Sequence, residues 1–229
     1  MQILKAKELT SEKAHCLIYG IPGMGKTTLL GMLPGKTLII DIDKGTRVLK
    51  DCENVDVVRI SEDLHEIPEI LNELRKKCPY QNVAIDSLSE LERGLLTFYG
   101  RQGNNNGVPG VQDYGRANYK IMDLCRQFIS LPCNIFFTAW EEQCEVIAPT
   151  GDKYNQARPL IRDKIVNNIC GLCDIVGQAT FSYKDPKNPV RYILLESDKA
   201  VVKDRIYKRK GCLYEELIPS ETDTKEGKE

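Results

Sequence analysis

The stretch GIPGMGKTTLL, Gly20 to Leu30, decides the fold because it fits the pattern G-x-x-x-x-G-K-[ST]. The apolar run CLIY stands directly before it, and a helical segment is expected from about Lys26 to Leu33, where Pro34 stops it. Glycines let a backbone close around phosphate with its N–H groups pointing at the oxygens. A strand, a glycine-rich loop and a helix in this order predict a nucleotide site.

The pattern also assigns roles within this loop. Lys26 is expected to neutralise the β- and γ-phosphates of ATP, and the Thr27 hydroxyl is expected to ligate Mg²⁺. Asp86 ends the predicted strand NVAIDS, where a carboxylate would hold Mg²⁺ through water, although it could instead cap the next helix. The predicted nucleotide-binding residues are Gly20, Ile21, Pro22, Gly23, Met24, Gly25, Lys26, Thr27 and Thr28.

Strand and helix patterns alternate through the first part of the chain. Besides the strand HCLIY before the glycine-rich loop, TLIIDID, NVAIDS and NIFFTAW are predicted buried strands. The four β-α units predict an α/β fold. That fold is a three-layer P-loop NTPase with a mostly parallel central sheet. The stretch 99–115 is too rich in Gly and Asn for a helix or strand. Further on we expect a hairpin or long loop over 141–163, a helix over 164–173 and two strands within 179–206.

Composition places the chain among ordinary globular proteins. With 229 residues, 41% hydrophobic and 28% charged, one domain over residues 1–218 suffices, and residues 219–229 are expected to be disordered. With a net charge of -1, the chain has no overall electrostatic attraction to nucleic acid or to a membrane surface. Nine cysteines indicate free thiols in a reducing compartment, and Cys170 and Cys173 are expected in a buried helix rather than a zinc site.

The N-terminal residues and the hydropathy pattern give an expectation about location. The charged start of the chain does not resemble a signal peptide. No apolar run approaches the roughly 20 residues that cross a bilayer. We therefore expect a cytoplasmic protein without a membrane partner.

Several classes of P-loop protein share the loop itself. The loop resembles that of nucleoside monophosphate kinases, but the arginine-rich lid of those enzymes is missing from the middle of the sequence. A GTPase would need N-K-x-D, and the sequence has none. The remaining class is the ATPases with a strand inserted between the P-loop strand and the Mg²⁺-aspartate strand. TLIIDID is expected to be that inserted strand.

TLIIDIDKG, NVAIDSLSEL and NIFFTAW fall in an order and spacing that resembles the core of RecA-like ATPases. More narrowly, residues 14–210 resemble the phage-encoded ATPases of the RecA type. The resemblance implies a RecA-like core that hydrolyses ATP, in a homo-oligomer that forms a filament or a ring. It also implies a role in recombination or annealing with single-stranded DNA, beside a phage or host single-strand binding protein. The compartment would then be the bacterial host cytoplasm.

The resemblance implies further catalytic residues. A glutamate at the end of the second strand activates water in that family, and Asp43 stands at the matching position here. Aspartate is one methylene shorter, so slow hydrolysis is expected. Asp41 could share this role, and Asp43 could instead belong to a turn with Gly45. The γ-phosphate sensor position falls near Trp140, with Thr138 and Glu141 as alternatives.

Lys203 and Arg205 resemble the Lys-x-Arg pair of the KNRFG segment in RadA and the hexameric helicases. The resemblance implies that this pair reaches a neighbouring subunit's γ-phosphate. Two positions apart on a predicted strand, both side chains would point the same way. The alternative is a solvated basic strand face.

Between Arg93 and Lys120 the balance of four cations and one aspartate is +3, with tyrosines interleaved. Proteins that bind single strands pair phosphate-neutralising cations with stacking rings in this manner. The predicted contacts to single-stranded DNA are Arg101, Tyr114, Arg116 and Lys120. A second candidate loop, 141–162, has mixed charge, and the first loop could simply be flexible and solvated.

Three functions stay open from the sequence. The first is a DNA-stimulated, self-assembling ATPase in phage-type recombination. The second is a kinase of the nucleoside monophosphate class. The third is a non-hydrolytic nucleotide-binding adaptor that loads another protein on DNA, which the short Asp43 favours.

Overall fold

The computed structural model describes residues 13–62 and 64–219. The expectations for residues 1–12 and from residue 220 onward lie outside these ranges. The helices are α1 Lys26–Gly31, α2 Glu66–Lys76, α3 Leu88–Gln102, α4 Val111–Ile129 and α5 Asp163–Leu172. The strands are β1 His15–Gly20, β2 Thr37–Asp41, β3 Val55–Arg59, β4 Asn82–Asp86, β5 Asn134–Ile147, β6 Lys153–Pro159, β7 Ile175–Ser182, β8 Val190–Leu194, β9 Lys203–Asp204 and β10 Gly211–Leu213. No helix within the described ranges is long and apolar enough to cross a bilayer.

One mixed sheet forms the centre, in the order β10-β8-β7-β1-β5-β4-β2-β3. The six strands from β7 to β3 run parallel, as the β-α alternation predicts. Antiparallel pairing begins at β8 and continues to β10, while β6 pairs with the end of β5 and β9 pairs with the start of β7. The carboxyl ends of the parallel strands therefore meet at one edge, where a ligand site of an open α/β sheet lies.

The strand inserted between β1 and β4 is β5. The expectation that TLIIDID takes this place is wrong, because that segment is β2 and pairs with β4 and β3 on the far side. Both strands are buried apolar runs, so composition cannot distinguish their places in a parallel sheet. As a result Trp140 lies opposite Gly20 in the register, and the end of β5 stands between the P-loop and Asp86.

Two apolar layers cover the sheet, because successive strand residues point to opposite faces. Leu17 faces α2, α3, α4 and α5 in the larger cluster. Ile18 faces α1 and the chain segment that contains Tyr214 in the smaller one. This arrangement confirms the three-layer α/β fold. Burial raises the pKa of the Cys170 thiol to about 11, as expected for a cysteine packed in the core.

The structure corrects several element boundaries. The stretch 99–115 is mostly helical: α3 continues through Gln102 and α4 starts at Val111, which leaves residues 103–110 as the loop. A Cβ on Gly100 would clash with the Gly107 carbonyl oxygen, so glycine at position 100 allows this loop to fold back on α3. The end of β5 and β6 form the hairpin expected before residue 163. Helix α1 is shorter than expected and ends at Gly31, and the sequence pattern did not predict β3.

Candidate active site

The P-loop runs from the end of β1 into α1 and borders a cavity of about 410 Å³. Gly23 and Gly25 have φ angles of 86° and 83°, which favour glycine. Six of the predicted nucleotide-binding residues line the cavity: Pro22, Gly23, Gly25, Lys26, Thr27 and Thr28. The other three shape the loop from behind, since the carbonyls of Gly20 and Ile21 accept bonds from Lys26 and Met24 is turned toward the core.

The Lys26 side chain folds back and donates hydrogen bonds to the start of the P-loop. Its Nζ donates to the carbonyl oxygens of Gly20 at 2.8 Å and Ile21 at 3.2 Å. An ammonium group has three protons, so one remains for a phosphate oxygen. Burial lowers the pKa of Lys26, while the nearby carboxylates of Asp86 and Asp43 oppose that shift. A phosphate in the loop would add negative charge beside this buried cation.

Two hydroxyls, of the half-buried Thr27 and the buried Thr138, contact the buried carboxylate of Asp86. Thr27 Oγ1 donates to Asp86 Oδ2 at 2.6 Å, and Thr138 Oγ1 donates to Asp86 Oδ1. Burial raises the pKa of Asp86, and these two hydrogen bonds lower it again. Within the described residues no lysine or arginine forms an ion pair with Asp86. A hydroxyl and a buried carboxylate side by side fit the oxygen ligands that Mg²⁺ prefers.

The hydrogen bonds also settle the alternative role of Asp86. The cap of α3 is Ser87, whose side chain accepts from the Glu90 N–H at 3.3 Å. The Asp86 carboxylate is therefore available to the site.

Asp43 lies two residues after the end of β2 and lines the cavity. Its Oδ1 accepts from the backbone N–H and the hydroxyl of Ser87, at 3.1 and 2.9 Å. Asp41 is fully buried and folds the following turn, because its carboxylate accepts from the Gly45 N–H and the Thr46 hydroxyl. The Asp41 carboxylate therefore stabilises this turn, and Asp41 is not among the residues that line the cavity. The turn role considered for Asp43 belongs to Asp41.

Trp140 lines the cavity at the end of the parallel part of β5. Its backbone N–H donates to Ser89 Oγ at 2.8 Å, and the guanidinium of Arg93 stacks 4.2 Å above its ring. Of the alternative sensors, Thr138 bonds to Asp86 instead of facing the cavity, and the Glu141 carboxylate accepts from Gln178 at 3.0 Å. Trp140 is thus the member of this group that faces the nucleotide cavity.

Arg191 on β8 lines the cavity from the side opposite Asp86, and the sequence analysis missed it. A Cβ on Gly25 would lie only 2.8 Å from its Cζ atom, so the guanidinium lies directly against the loop. Among the described residues no acid forms an ion pair with Arg191. Only the pairing of β8 with β7, beside β1, brings this residue to the loop. No local pattern in KNPVRY indicates that arrangement.

Tyr214 supports the loop from the core and was also missed. Its hydroxyl donates to the Met24 carbonyl oxygen at 2.8 Å, and the side chain is buried. Burial raises the pKa of Tyr214 to about 12, so the phenol remains a donor at neutral pH. The C-terminal part of the chain thereby contributes to the shape of the P-loop.

Lys203 and Arg205 lie at the opposite edge of the sheet from the P-loop. In the register Asp204 pairs with Ile175, which pairs with Cys16 at the start of β1. The expected strand is only β9, and Arg205 follows its end, where its Nη1 donates to the Gly171 carbonyl oxygen at 3.4 Å. Cations at the C-terminal end of α5 also suit the helix dipole. Within one subunit this pair does not reach the cavity.

The structure separates the residues predicted to contact DNA. Arg101 forms an ion pair with Glu62 at 3.0 Å. Arg116 pairs with Asp113 at 3.2 Å and stacks on the ring of Tyr99.

The other two predicted contacts lie on α4. Tyr114 lies under the guanidinium of Arg162, with 4.4 Å between the guanidinium carbon and the ring centre, and Lys120 is half-buried. Two of the four predicted contacts therefore already have acidic partners.

A protein-family model described as AAA domain matches residues 12–206. The chain belongs to this AAA domain family. Together with the sheet order and the P-loop geometry, this match establishes a RecA-like P-loop ATPase fold. No curated protein gives a significant match.

Two solved structures show similarity to this chain. One is a KaiC-like protein from Pyrococcus horikoshii OT3, with 14% identity, TM-score 0.40, and 79% of this chain and 77% of that chain covered. The other is the flagellar accessory protein FlaH from Methanocaldococcus jannaschii, with 8% identity, TM-score 0.42, and coverage of 86% and 83%.

Proposed function

We propose that the protein binds ATP with Mg²⁺ in the P-loop cavity and hydrolyses it slowly, in a homo-oligomer that single-stranded DNA stimulates. The biological setting we propose is phage-type recombination or annealing. One observation supports the catalytic part most strongly. The loop, the Asp86 carboxylate and the Asp43 carboxylate all border the same cavity of about 410 Å³.

The chain's own groups account for binding and orientation. The loop N–H groups and Lys26 take the β- and γ-phosphates. Thr27 and Asp86 are the residues that would hold Mg²⁺, which neutralises phosphate charge when bound. Asp43, fixed by its two bonds from Ser87, orients the attacking water. Its shortness and these bonds weaken it as an acceptor, which is the reason for slow turnover.

Arg191 is assigned to the nucleoside end of the ligand. The γ-phosphate belongs beside Thr27 and Asp86, on the side of β1 that faces β5 and β4. An extended triphosphate then leaves the loop toward β7 and β8, where Arg191 lies. Its guanidinium would bond the α-phosphate or stack on the base.

Assembly is proposed to complete the site. Lys203 and Arg205 lie far from their own P-loop, so a role at the γ-phosphate requires a neighbouring subunit. A filament or a ring would supply that neighbour. A cation donated in this way accelerates other NTPases about 10³–10⁵-fold. A single-strand binding protein of phage or host is the further partner we propose.

One observation favours a second candidate function. Because Ser87 occupies Oδ1 of Asp43, the protein could bind ATP without effective hydrolysis and act as an adaptor that loads another protein on DNA.

Phosphate release, chromatographic separation of AMP, ADP and ATP, and ATP binding are measured in three parallel reactions: ATP alone, ATP with single-stranded DNA, and ATP with AMP. The proposed function predicts slow release that rises with DNA and no ADP formation from AMP. ATP binding without hydrolysis in any reaction would support the adaptor. Consumption of AMP would indicate the monophosphate kinase, and a rate that DNA leaves unchanged would remove the DNA part.

A further inference from the structure

A cleft of about 560 Å³ opens between α4 and the start of α5. We call it the α4–α5 cleft. Arg126, Arg162 and Lys164 line it, together with Tyr114 and Tyr119, and none of the described residues that line it is acidic. Its electrostatic character is therefore cationic although the chain as a whole is not.

Two of these cations lack a carboxylate partner. Among the described residues no ion pair involves Arg126 or Lys164, and both side chains are exposed. The adjacent acids are engaged elsewhere: Asp123 accepts from Gln127 at 2.6 Å, and Asp163 accepts from Arg158. This sets the cleft apart from the loop side, where Arg101 and Arg116 are paired with acids.

Arg162 holds the floor of the cleft in place. Its Nε lies 3.9 Å from Glu92 Oε1, and its guanidinium stacks on the ring of Tyr114. Its backbone N–H donates to Glu92 Oε2 at 3.2 Å. The charge of Arg162 is therefore partly compensated, and it serves mainly to fix the ring of Tyr114.

The cleft also offers groups that suit a nucleobase. Tyr119 is 83% exposed, so its ring is open to a ligand. The amide oxygen Oδ1 of Asn118, on the same helix, is buried and has no hydrogen-bond donor among the described residues. An exposed ring accepts a base by stacking.

The cleft connects with the nucleotide cavity through a short chain of hydrogen bonds. The Leu160 N–H donates to the Trp140 carbonyl at 2.7 Å, and Ser89 Oγ donates to the Leu160 carbonyl at 2.9 Å. Trp140 lines the nucleotide cavity, and Leu160 lies two residues before Arg162. A ligand in the cleft therefore lies against a segment that contacts the ATP site.

We propose that the α4–α5 cleft is the main contact for single-stranded DNA, with Arg126 and Lys164 on the phosphates and Tyr119 stacked on a base. This inference rests on the proposed function in which single-stranded DNA is a partner. It moves the contact away from Arg101 and Arg116.

The test measures binding of a fluorescent oligo-dT strand by anisotropy at several salt concentrations. Each phosphate contact to a single strand contributes about 0.7 to the slope of log K against log salt. The double variant Arg126→Ala/Lys164→Ala should lower that slope by about 1.4. Tyr119→Ala should weaken binding about fivefold or more at every salt concentration, with the slope unchanged.

The matched control is Arg101→Ala/Arg116→Ala, which removes the same charge. It should leave the slope unchanged, because both arginines are already paired with acids. If the wild-type protein binds the strand and the cleft variants bind like it, the cleft assignment is wrong while the proposed function stands. A reduced slope in the control alone would return the site to the loop side. If the wild-type protein does not bind the strand at any salt concentration, the cleft assignment and the DNA part of the proposed function both fail.

Discussion

Replacing Tyr214 with Phe is the change that isolates the support of the P-loop. The ring remains, so the buried packing is retained, and only the hydroxyl that donates to the Met24 carbonyl is lost. A buried polar group left without its partner costs about 1–3 kcal/mol. For a domain of this size each kcal/mol lowers Tm by about 2–4 °C, so a loss of about 2 kcal/mol predicts a decrease of about 4–8 °C.

Thermal unfolding with and without Mg·ATP measures this effect, and titration calorimetry measures the ATP affinity. Because Met24 is part of the loop, the affinity should fall with the stability, and saturating ATP should restore part of the Tm. Tyr183→Phe is the matched control, since that hydroxyl belongs to a side chain that is 65% exposed. A Tyr214→Phe protein with unchanged Tm and unchanged ATP affinity would refute the support role.

Three further predictions concern the cavity and its neighbour. Asp43→Asn should reduce turnover at least tenfold and leave ATP affinity within about twofold, as single-turnover and binding assays would show; parental turnover would place the base elsewhere. Arg191→Ala should weaken the binding of ATP and of ADP by about tenfold each, because a charge-assisted hydrogen bond of an exposed side chain contributes about that much. Lys184→Ala, on the same hairpin, is the control. A loss of affinity for ATP alone would place Arg191 at the γ-phosphate. Mixed Lys26→Ala and Arg205→Ala subunits should recover part of the activity that each lacks alone, and an inactive mixture that still assembles on DNA would contradict action between subunits.

The sequence predicts the P-loop well because the chemistry of that loop is local. Gly25 needs a positive φ, Lys26 reaches back to carbonyls five and six residues earlier, and Thr27 follows directly. Asp86 is predictable as well, since a buried strand that ends in an acid brings its carboxylate to the ligand edge of a parallel sheet.

The features that the sequence missed depend on long-range pairing. The place of β5 between β1 and β4 follows from strand order, which no single apolar run contains. Arg191 on β8 and Tyr214 after β10 contact the P-loop, although both lie more than 160 positions from it in the sequence. The charge count around Arg101 and Arg116 could not show that acids of the fold already compensate these arginines. Asp41 and Asp43 are equivalent by pattern, and only the turn at Thr46 separates their roles.

ATP hydrolysis by the wild-type protein and by Lys26→Ala, each with Mg²⁺ and single-stranded DNA, tests the central claim most directly. Circular dichroism would first establish that the variant folds, since Lys26 also bonds to the loop carbonyls. Because no other described cation occupies the place of Lys26 within the loop, we expect phosphate release from the wild-type protein and none above background from the variant. Equal turnover by a folded Lys26→Ala protein would contradict the assignment of the P-loop cavity as the site of ATP hydrolysis.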